Sequence, residues 1–313
     1  MINKLRKKSL IILAILLMVS LLYACQKKEE TVIDYDFYYN DKYYAIDRSK
    51  ETVLVVGLDT YATEMVDDYR NNQLADFVML LVIDDYDKTI TPIQINRDTM
   101  LDINVLGMRN EIVSTTYGQL SLSHSYGDGG LVSLLNVKDA VSKLFFNIHI
   151  NYSLAYSMDS VAIVNDLLGG VTVYLEDDLS ILDEDFVQGT YLKLNGEQAL
   201  KFVRNRYDLE DATNINRMKR QREYIKEISK LLSEKSSDNA FIKELLNKMS
   251  GSMTSSANFE DLNRLLEKIK NFKLNDTLVV DGEAKLGEKY IEYYAYKDSL
   301  LEIAANTLFK EVK

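Results

Sequence analysis

The sequence predicts a single three-layer α/β domain, in which helices flank a central mixed β-sheet. Three observations support this fold class. Continuous apolar runs of strand length alternate with helical patterns along the chain. A polar turn too short for a crossover separates two of those runs, and so predicts an antiparallel pair. The 313 residues are 47% hydrophobic and 27% charged, which is ordinary globular composition.

A membrane-anchoring segment precedes this domain at residues 1–25. Basic residues at positions 4–8 flank an uncharged apolar run over residues 9–24, a pattern typical of an export signal. Cys25, the only cysteine, follows Ala24 as in a bacterial lipoprotein processing site, so lipidation at Cys25 is the favoured interpretation. The alternative is an uncleaved transmembrane signal anchor. Either one places the remaining chain on the extracytoplasmic face of the cell membrane.

Residues 26–50 are rich in charge and tyrosine without a sustained period, and we expect a linker there. The extracytoplasmic folded domain is then expected over residues 51–313. A single cysteine excludes an internal disulfide framework and a cysteine-rich zinc site. The net charge of −11 argues against sequence-independent binding of nucleic acid.

The first three strands are predicted from short apolar runs. These cover residues 52–59, 77–83 and 90–95, and the polar turn at 84–88 predicts that the second and third form a hairpin. Pro92 lacks a backbone N–H, which predicts a sheet edge or an irregularity in the third strand.

Helices and strands then alternate to the end of the chain. Helices are expected from Gly130 to Leu144, over 159–168 with a glycine cap at Gly169, after Asn195 with Gln198 in capping-box position, and over 215–232. Strands are expected near 148–156 and over 171–175. Residues 238–313 predict two helices, a strand pair and a terminal helix.

Charged residues stand where the first three strands begin or end. Asp59 ends the first strand, Asp76 precedes the second, and Arg97 and Asp98 follow the third. If the second strand is antiparallel to both neighbours, these four side chains meet at one edge of the sheet. A lone charge at a strand end is usually only a solvated turn residue, but three such ends together indicate a site.

Basic residues cluster between positions 201 and 222. Arginine is the commoner type there, and its planar guanidinium suits bidentate binding of phosphate or carboxylate. The alternative is a solvated helix face with salt bridges along the helix. A carboxylate pair that holds Mg²⁺, together with arginines, would clamp a pyrophosphate, so the two clusters suggest phosphoryl or pyrophosphoryl chemistry. The cluster comprises Lys201, Arg204, Arg206, Arg217, Lys219, Arg220 and Arg222.

Seven sequence blocks in order resemble the LytR-CpsA-Psr (LCP) family. The blocks are Gly57-Leu58-Asp59, Asp76-Phe77-Val78-Met79, Asn96-Arg97-Asp98-Thr99, Leu122-Ser123-His124-Ser125-Tyr126-Gly127, Leu167-Leu168-Gly169-Gly170-Val171, the stretch from Leu194 to Arg206, and Asn216-Arg217-Met218-Lys219-Arg220-Gln221.

The resemblance implies an LCP-like fold and a membrane-attached enzyme. Members transfer a glycopolymer, such as teichoic acid or capsule, from a polyprenyl-pyrophosphate carrier to a sugar hydroxyl of peptidoglycan. Carried over by position, Asp59 and Asp76 would hold Mg²⁺, with Mn²⁺ as the other candidate metal. The pyrophosphate ligands would be Arg97, Arg204, Arg206, Arg217, Arg220 and Gln221.

The resemblance also implies an apolar tunnel for the polyprenyl tail, here lined by the helices after Gly130 and over 159–168. The proton of the attacking hydroxyl would go to Asp59 or Asp98, beside Arg97. The chain departs from the family pattern at Leu74-Ala75, Asn96, Gln119 and Thr213-Asn214. These departures bear on efficiency and acceptor choice.

Two other functions remain open on the sequence. One is a non-catalytic surface lipoprotein that binds lipid-linked anionic polymer, which would keep the arginines but not depend on Asp59 and Asp76. The other is a hydrolase that uses the same site on polyprenyl pyrophosphate. His124 and His149 are expected to be structural, although His124 lies beside the predicted site.

Overall fold

The computed structural model describes residues 34–61, 71–205 and 214–313. The strands are β1 (Phe37–Tyr39), β2 (Lys42–Ile46), β3 (Glu51–Leu58), β4 (Ala75–Asp84), β5 (Thr89–Ile95), β6 (Met100–Leu106), β7 (Ile112–Gln119), β8 (Tyr152–Tyr156), β9 (Val171–Tyr174), β10 (Tyr191–Leu194), β11 (Met253–Ser255), β12 (Lys273–Leu274), β13 (Leu278–Val279), β14 (Gly282–Leu286), β15 (Ile291–Ala295) and β16 (Phe309–Val312). The helices are α1 (Leu122–Ser125), α2 (Leu131–Leu144), α3 (Asp159–Leu168), α4 (Gly196–Arg204), α5 (Ile215–Lys235), α6 (Asn239–Met249), α7 (Phe259–Asn271) and α8 (Lys297–Thr307).

The central sheet is mixed, as predicted. Its strand order is β11-β8-β3-β4-β5-β12, and β13 also pairs with β5. Strand β4 is antiparallel to both β3 and β5, whereas β8 runs parallel to β3. The antiparallel hairpin of β4 and β5 is therefore confirmed. The start of β4 lies beside the ends of β3 and β5, which is the arrangement that the sequence argument for the site required.

Pro92 interrupts the outer pairing of β5 rather than ending the sheet. It lies opposite Leu81 of β4 on one side. On the other side, β12 pairs with Thr89 and Ile90, and β13 pairs with Ile93 and Gln94. Pro92 falls in the gap between these two short strands, where no backbone N–H is needed.

Both faces of the sheet are buried. Leu54 and Val56 of β3 face the core that α2 and α8 cover. Val53 faces the opposite core, against Leu265 of α7. Alternate residues of one strand thus enter two cores, which explains the unbroken apolar run that predicted a buried strand.

A separate two-stranded sheet, β9 and β10, packs with α3, α4 and α5 around a third core that contains Phe186 and Phe202. The β6–β7 hairpin is a feature that the sequence analysis did not identify. It turns at residues 107–111, where Asn110 adopts a left-handed φ of 64°.

The prediction of a linker over residues 26–50 is wrong for its second half. Strands β1 and β2 pair with each other, and β2 also pairs with the C-terminal strand β16. Phe37 is buried against Phe146 and Phe309, so this segment is part of the folded domain. The aromatic residues that suggested an irregular linker are therefore strand residues with a distant partner.

The predicted anchor at residues 1–25, including Cys25, lies outside the described residues. Among residues 34–61, 71–205 and 214–313, no helix combines the length and apolar character needed to cross a membrane.

Candidate active site

Asp59 is fixed at the end of β3 by the neighbouring strand. Its backbone N–H donates to the carbonyl of Leu74 at 3.2 Å, and its Oδ1 accepts the N–H of Leu74 at 2.7 Å. Burial raises the pKa of Asp59, against the opposing effects of the Leu74 N–H and of the Arg97 and Arg204 charges. The net direction means that the surrounding positive charge does not fully offset desolvation of this carboxylate.

Asp76 binds two arginines from different parts of the chain. Its Oδ1 forms an ion pair with Arg97 Nη1, and its Oδ2 accepts from Arg217 Nη1 at 2.9 Å. Arg97 follows β5, whereas Arg217 lies in the first turn of α5. The carboxylate thus joins the sheet edge to the helix that carries the basic cluster.

Asp98 supports Arg97 from the other side. Its Oδ1 accepts from Arg97 Nε at 3.2 Å and from Gln119 Nε2 at 3.1 Å. Its backbone carbonyl accepts the N–H of Tyr293 at 2.9 Å. Gln119 also donates to the carbonyl of Ile291 at 2.7 Å, so the β14–β15 hairpin holds this loop in place.

Two departures from the family pattern contact each other. Asn214 Nδ2 donates to Asn96 Oδ1 at 3.2 Å, and Asn96 Oδ1 also accepts the N–H of Asp98 at 3.0 Å. Asn214 Oδ1 in turn accepts from Arg217 Nε at 2.7 Å. These bonds link the β5 loop to α5, a role for Asn214 that sequence reasoning missed. The only sequence signal for these bonds was that Asn96 and Asn214 both differ from the family pattern.

Arg204 is an exposed member of the cluster. It ends α4, whose start is set by the predicted capping box: Asn195 Oδ1 accepts the Gln198 N–H at 2.9 Å, and Gln198 Oε1 accepts the Asn195 N–H at 3.2 Å. The Nη1 of Arg204 lies 3.4 Å from the Tyr61 hydroxyl oxygen. Arg206 lies outside the described residues, so its assignment as a pyrophosphate ligand stays a prediction.

Arg220 and Gln221 lie on α5 beside Arg217 in sequence, but they make different contacts. Arg220 donates through Nε to the Phe202 carbonyl at 2.9 Å and through Nη2 to the Asn205 carbonyl. These bonds hold the end of α4. Gln221 Nε2 donates to the carbonyl of Val203 at 3.2 Å, and its side chain borders the same cavity as Arg217. The structure therefore places Gln221 with the site, and Arg220 on the support of Arg204.

His124 is buried in the interior. Burial lowers its pKa to about 4, and its Nδ1 lies 3.3 Å from the Gln73 carbonyl. The structural role predicted for His124 agrees with this environment.

An apolar cavity of about 390 Å³ opens beside the site. Its charged lining residues are Asp76, Arg204 and Arg217, and most others are apolar. Helix α3 contributes Val161 and Val164, as expected. The expectation that the helix after Gly130 lines it is wrong, because α2 covers the opposite face of the sheet. Helices α5, α6 and α7 supply the remaining helical wall, through Ile225, Ile228, Leu232, Leu245, Leu246, Met249, Leu262, Leu265, Leu266 and Ile269.

The side chains available as metal ligands are the carboxylates of Asp59 and Asp76, and carboxylate oxygens are ligands that a hard cation such as Mg²⁺ prefers. Asp59 is a half-buried carboxylate whose pKa burial raises, so a cation beside it would offset the cost of its partial burial. Asp76 is committed to two arginines and would have to share its oxygens. No cluster of three or more His, Cys, Asp or Glu residues stands in metal-binding arrangement within the described ranges. A metal here would therefore rest on two carboxylates, with water or substrate oxygens as its further ligands.

Comparison with curated proteins identifies relatives of known type. A protein named polyisoprenyl-teichoic acid–peptidoglycan teichoic acid transferase TagU, from Enterococcus faecalis, is 28% identical over 235 residues, covering 71% of this chain and 70% of that protein. Biofilm regulatory protein A of Streptococcus mutans is 27% identical over 192 residues, covering 59% of this chain and 44% of that protein.

Solved structures share the fold. A structure described as TagT bound to LI-WTA superposes with a TM-score of 0.61 at 20% identity, covering 82% of this chain and 88% of that one. B. subtilis TagV superposes with a TM-score of 0.63 at 20% identity, covering 82% and 95%. The model of the LytR_cpsA_psr family matches residues 21–310. The chain therefore belongs to the LytR_cpsA_psr family.

Proposed function

We propose that this protein is a phosphotransferase that moves a glycopolymer from a polyprenyl-pyrophosphate carrier to a sugar hydroxyl of peptidoglycan. The reaction forms a phosphodiester and releases polyprenyl phosphate. The observation that carries the proposal is the apolar cavity whose charged lining residues, Asp76, Arg204 and Arg217, belong to the arginine–carboxylate cluster. An apolar chain and a charged head would bind side by side in such a site.

The arginines account for recognition of the pyrophosphate. Arg204 is exposed beside the cavity, where its Nη1 makes a long hydrogen bond to the Tyr61 hydroxyl and its guanidinium lies over the Tyr61 ring, so it can reorient toward an incoming phosphate. Arg97 and Arg217 are held by Asp76, and their charges are oriented before substrate arrives. Gln221 adds an amide at the cavity wall, and Arg206 is assigned by position in the family motif.

Asp59 and Asp76 are the proposed ligands of Mg²⁺, or of Mn²⁺ in its place. The ion would supply charge neutralisation on the pyrophosphate oxygens as the leaving group departs. Arg97 and Arg217 contribute the same neutralisation from fixed positions on the protein.

Asp59 is the better placed of the two candidate bases. Its Oδ1 accepts the Leu74 N–H at 2.7 Å, whereas the Asp98 carboxylate accepts from both Arg97 and Gln119. A carboxylate offers about four lone-pair positions, so metal binding and proton acceptance by Asp59 are compatible. Asp98 is buried and bonded to Arg97 and Gln119, which assigns it the task of orienting Arg97.

The proposed location is the extracytoplasmic face of the membrane, with an anchor at residues 1–25 through lipid on Cys25 or a transmembrane helix. The partners are then the lipid-linked glycopolymer, peptidoglycan and the membrane, and not nucleic acid. The teichoic acid–peptidoglycan transferase activity in the name of the TagU relative supports the glycopolymer and peptidoglycan as partners.

A transfer assay tests the proposal. The full chain in detergent would be given a polyprenyl-pyrophosphate oligosaccharide, peptidoglycan oligomers and Mg²⁺, with and without EDTA. Metal-dependent release of polyprenyl phosphate, with sugar joined to peptidoglycan, is the expected result, and Asp59→Asn should abolish it. Release without joining would indicate a hydrolase. Binding of the lipid without any release would indicate a non-catalytic lipoprotein.

A further inference from the structure

A second cavity lies on the other side of helix α5. It has a volume of about 420 Å³ and is bounded by α5, the end of β9 and the segment that connects β12 to β13. The residues of α5 that line it, from Lys219 to Lys230, project on average to the side opposite Arg217 and Gln221, because each residue turns the helix by about 100°. We call this cavity the polar groove.

The polar groove carries both signs of charge. Lys219, Arg222, Lys226 and Lys230 follow each other at steps of three and four residues, and so form one stripe along α5. The facing walls contribute carboxylates, including Glu176, which forms an ion pair with Lys219. In total the described lining has five basic and four acidic residues, so no strong net charge selects a polyanion. The remaining members of these two sets are Arg220, Asp177, Glu223 and Asp276.

An exposed aromatic pair stands at the same groove. Tyr174 lines it and contacts Tyr191 across the β9–β10 ribbon in a tilted arrangement, with ring centroids 5.0 Å apart. The two side chains are 38% and 77% exposed. Each ring thus offers apolar area and a hydroxyl to a ligand.

A chain of polar side chains crosses α5 between the groove and the apolar cavity. Arg222 lines the groove and donates from Nη1 to Gln94 Oε1 at 2.7 Å. Gln94 is 1% exposed and donates to Gln221 Oε1 at 3.3 Å, and Gln221 lines the apolar cavity. The buried Gln94 amide thus links a residue of the groove to a residue of the apolar cavity.

We infer that the polar groove binds the glycan strand of the acceptor, while the lipid-linked donor occupies the apolar cavity. This inference rests on the proposed transferase function. Sugar rings present apolar C–H faces to aromatic rings and hydroxyl pairs to carboxylate, guanidinium and amide groups, which are the groups that line the groove. The nine charged residues of the lining make the groove a poor site for a polyprenyl tail, and its four carboxylates disfavour an anionic polymer.

Binding of the full chain to soluble peptidoglycan glycan oligomers, measured without donor, tests the inference. Tyr174→Ala and Lys226→Glu should each weaken binding about tenfold. Tyr174→Phe should bind nearly as well as the parent, because it keeps the ring. The matched controls are Tyr290→Ala and Lys243→Glu, which alter exposed residues outside the groove and should change nothing. A polyprenyl-pyrophosphate donor should not compete with the oligomers.

Unchanged binding in both groove variants, or loss of binding equal to that in the controls, would overturn the inference. Competition by the donor would also overturn it, since it would place both ligands in one cavity. Groove-dependent glycan binding without any transfer would leave the groove assignment standing and refute the transferase. Transfer by groove variants that still bind the oligomers normally would refute the groove assignment and leave the transferase standing.

Discussion

Substitution of Arg217 and of Arg204 should separate the structural contribution of an arginine from its catalytic contribution within one cluster. The perturbation is the replacement of each by Met, which keeps much of the side-chain length but removes the charge. Arg217 is 3% exposed, and it donates to Asn214 Oδ1 at 2.7 Å and to Asp76 Oδ2 at 2.9 Å. Arg204 is exposed, and its Nη1 lies 3.4 Å from the Tyr61 hydroxyl oxygen. The two variants therefore remove the same charge from different environments.

The expected stability losses differ several-fold. Arg217→Met removes two short hydrogen bonds and leaves Asn214 Oδ1 without its Arg217 donor, which costs about 3–5 kcal/mol. The loss should be about 3 kcal/mol, at the low end of this range, since Asp76 keeps its ion pair with Arg97. Arg204→Met should change the free energy of unfolding by no more than about 0.5 kcal/mol, as is usual for an exposed side chain.

The activity losses should not follow the stability losses. Each arginine would stabilise charge on the pyrophosphate, so each variant should lower turnover by about 10²–10³-fold. The assays are urea unfolding of a fragment that begins at residue 31, and release of polyprenyl phosphate by the full chain. Arg204→Met should therefore be inactive but stable.

A destabilisation of Arg204→Met equal to that of Arg217→Met would refute this reasoning. So would an Arg204→Met variant with full turnover, because Arg204 would then lie outside the reaction. The matched control is Lys243→Glu, an exposed change on α6 that should affect neither assay.

Three further predictions concern His124, the apolar cavity and Gln119. Burial lowers the pKa of His124 to about 4 from 6.5, so the unfolded chain takes up this proton first as the pH falls. Stability should drop by about 3 kcal/mol between pH 6.5 and pH 4, and His124→Gln should flatten this part of the unfolding profile; an unchanged profile would contradict the assignment. Val164→Trp should fill the apolar cavity and lower turnover of a long-chain donor more than tenfold, at a folding cost of about 1–3 kcal/mol. Leu135→Trp on the exposed side of α2 is its control, and equal turnover in the two variants would argue against lipid in the cavity. Gln119→Leu should lower turnover about 10–100-fold because Asp98 loses a donor, and full activity would show that Gln119 does not orient Asp98.

Local sequence patterns determined the central sheet and the start of the site. The apolar runs of β3, β4 and β5 are legible because both faces of these strands are buried. The short turn between β4 and β5 allows only an antiparallel pair. These two facts bring Asp76 and Arg97 to one edge, and Asp59 joins them because β3 also runs antiparallel to β4, a pairing that the structure shows. The capping box at Asn195 is equally local, since its bonds span three residues.

Local sequence patterns could not predict contacts between segments that are distant in the sequence. The strands at residues 37–46 look like a linker because their partner, β16, lies more than 260 residues away in the sequence. The walls of the apolar cavity from α6 and α7 could not be separated from ordinary core helices, because apolar spacing does not reveal which surface a helix faces.

The difference between what the sequence determines and what tertiary packing decides is clearest on helix α5. Arg217, Arg220 and Gln221 belong to one family block on the helix predicted over 215–232, and all three are buried. Only tertiary packing decided that Arg217 meets Asp76, whereas Arg220 holds the end of α4. Spacing along a helix sets the direction of a side chain to within tens of degrees, but hydrogen bonds depend on ångström-scale placement by neighbouring elements. The sequence by itself thus determined which residues gather at this edge, and the tertiary structure decided the task of each.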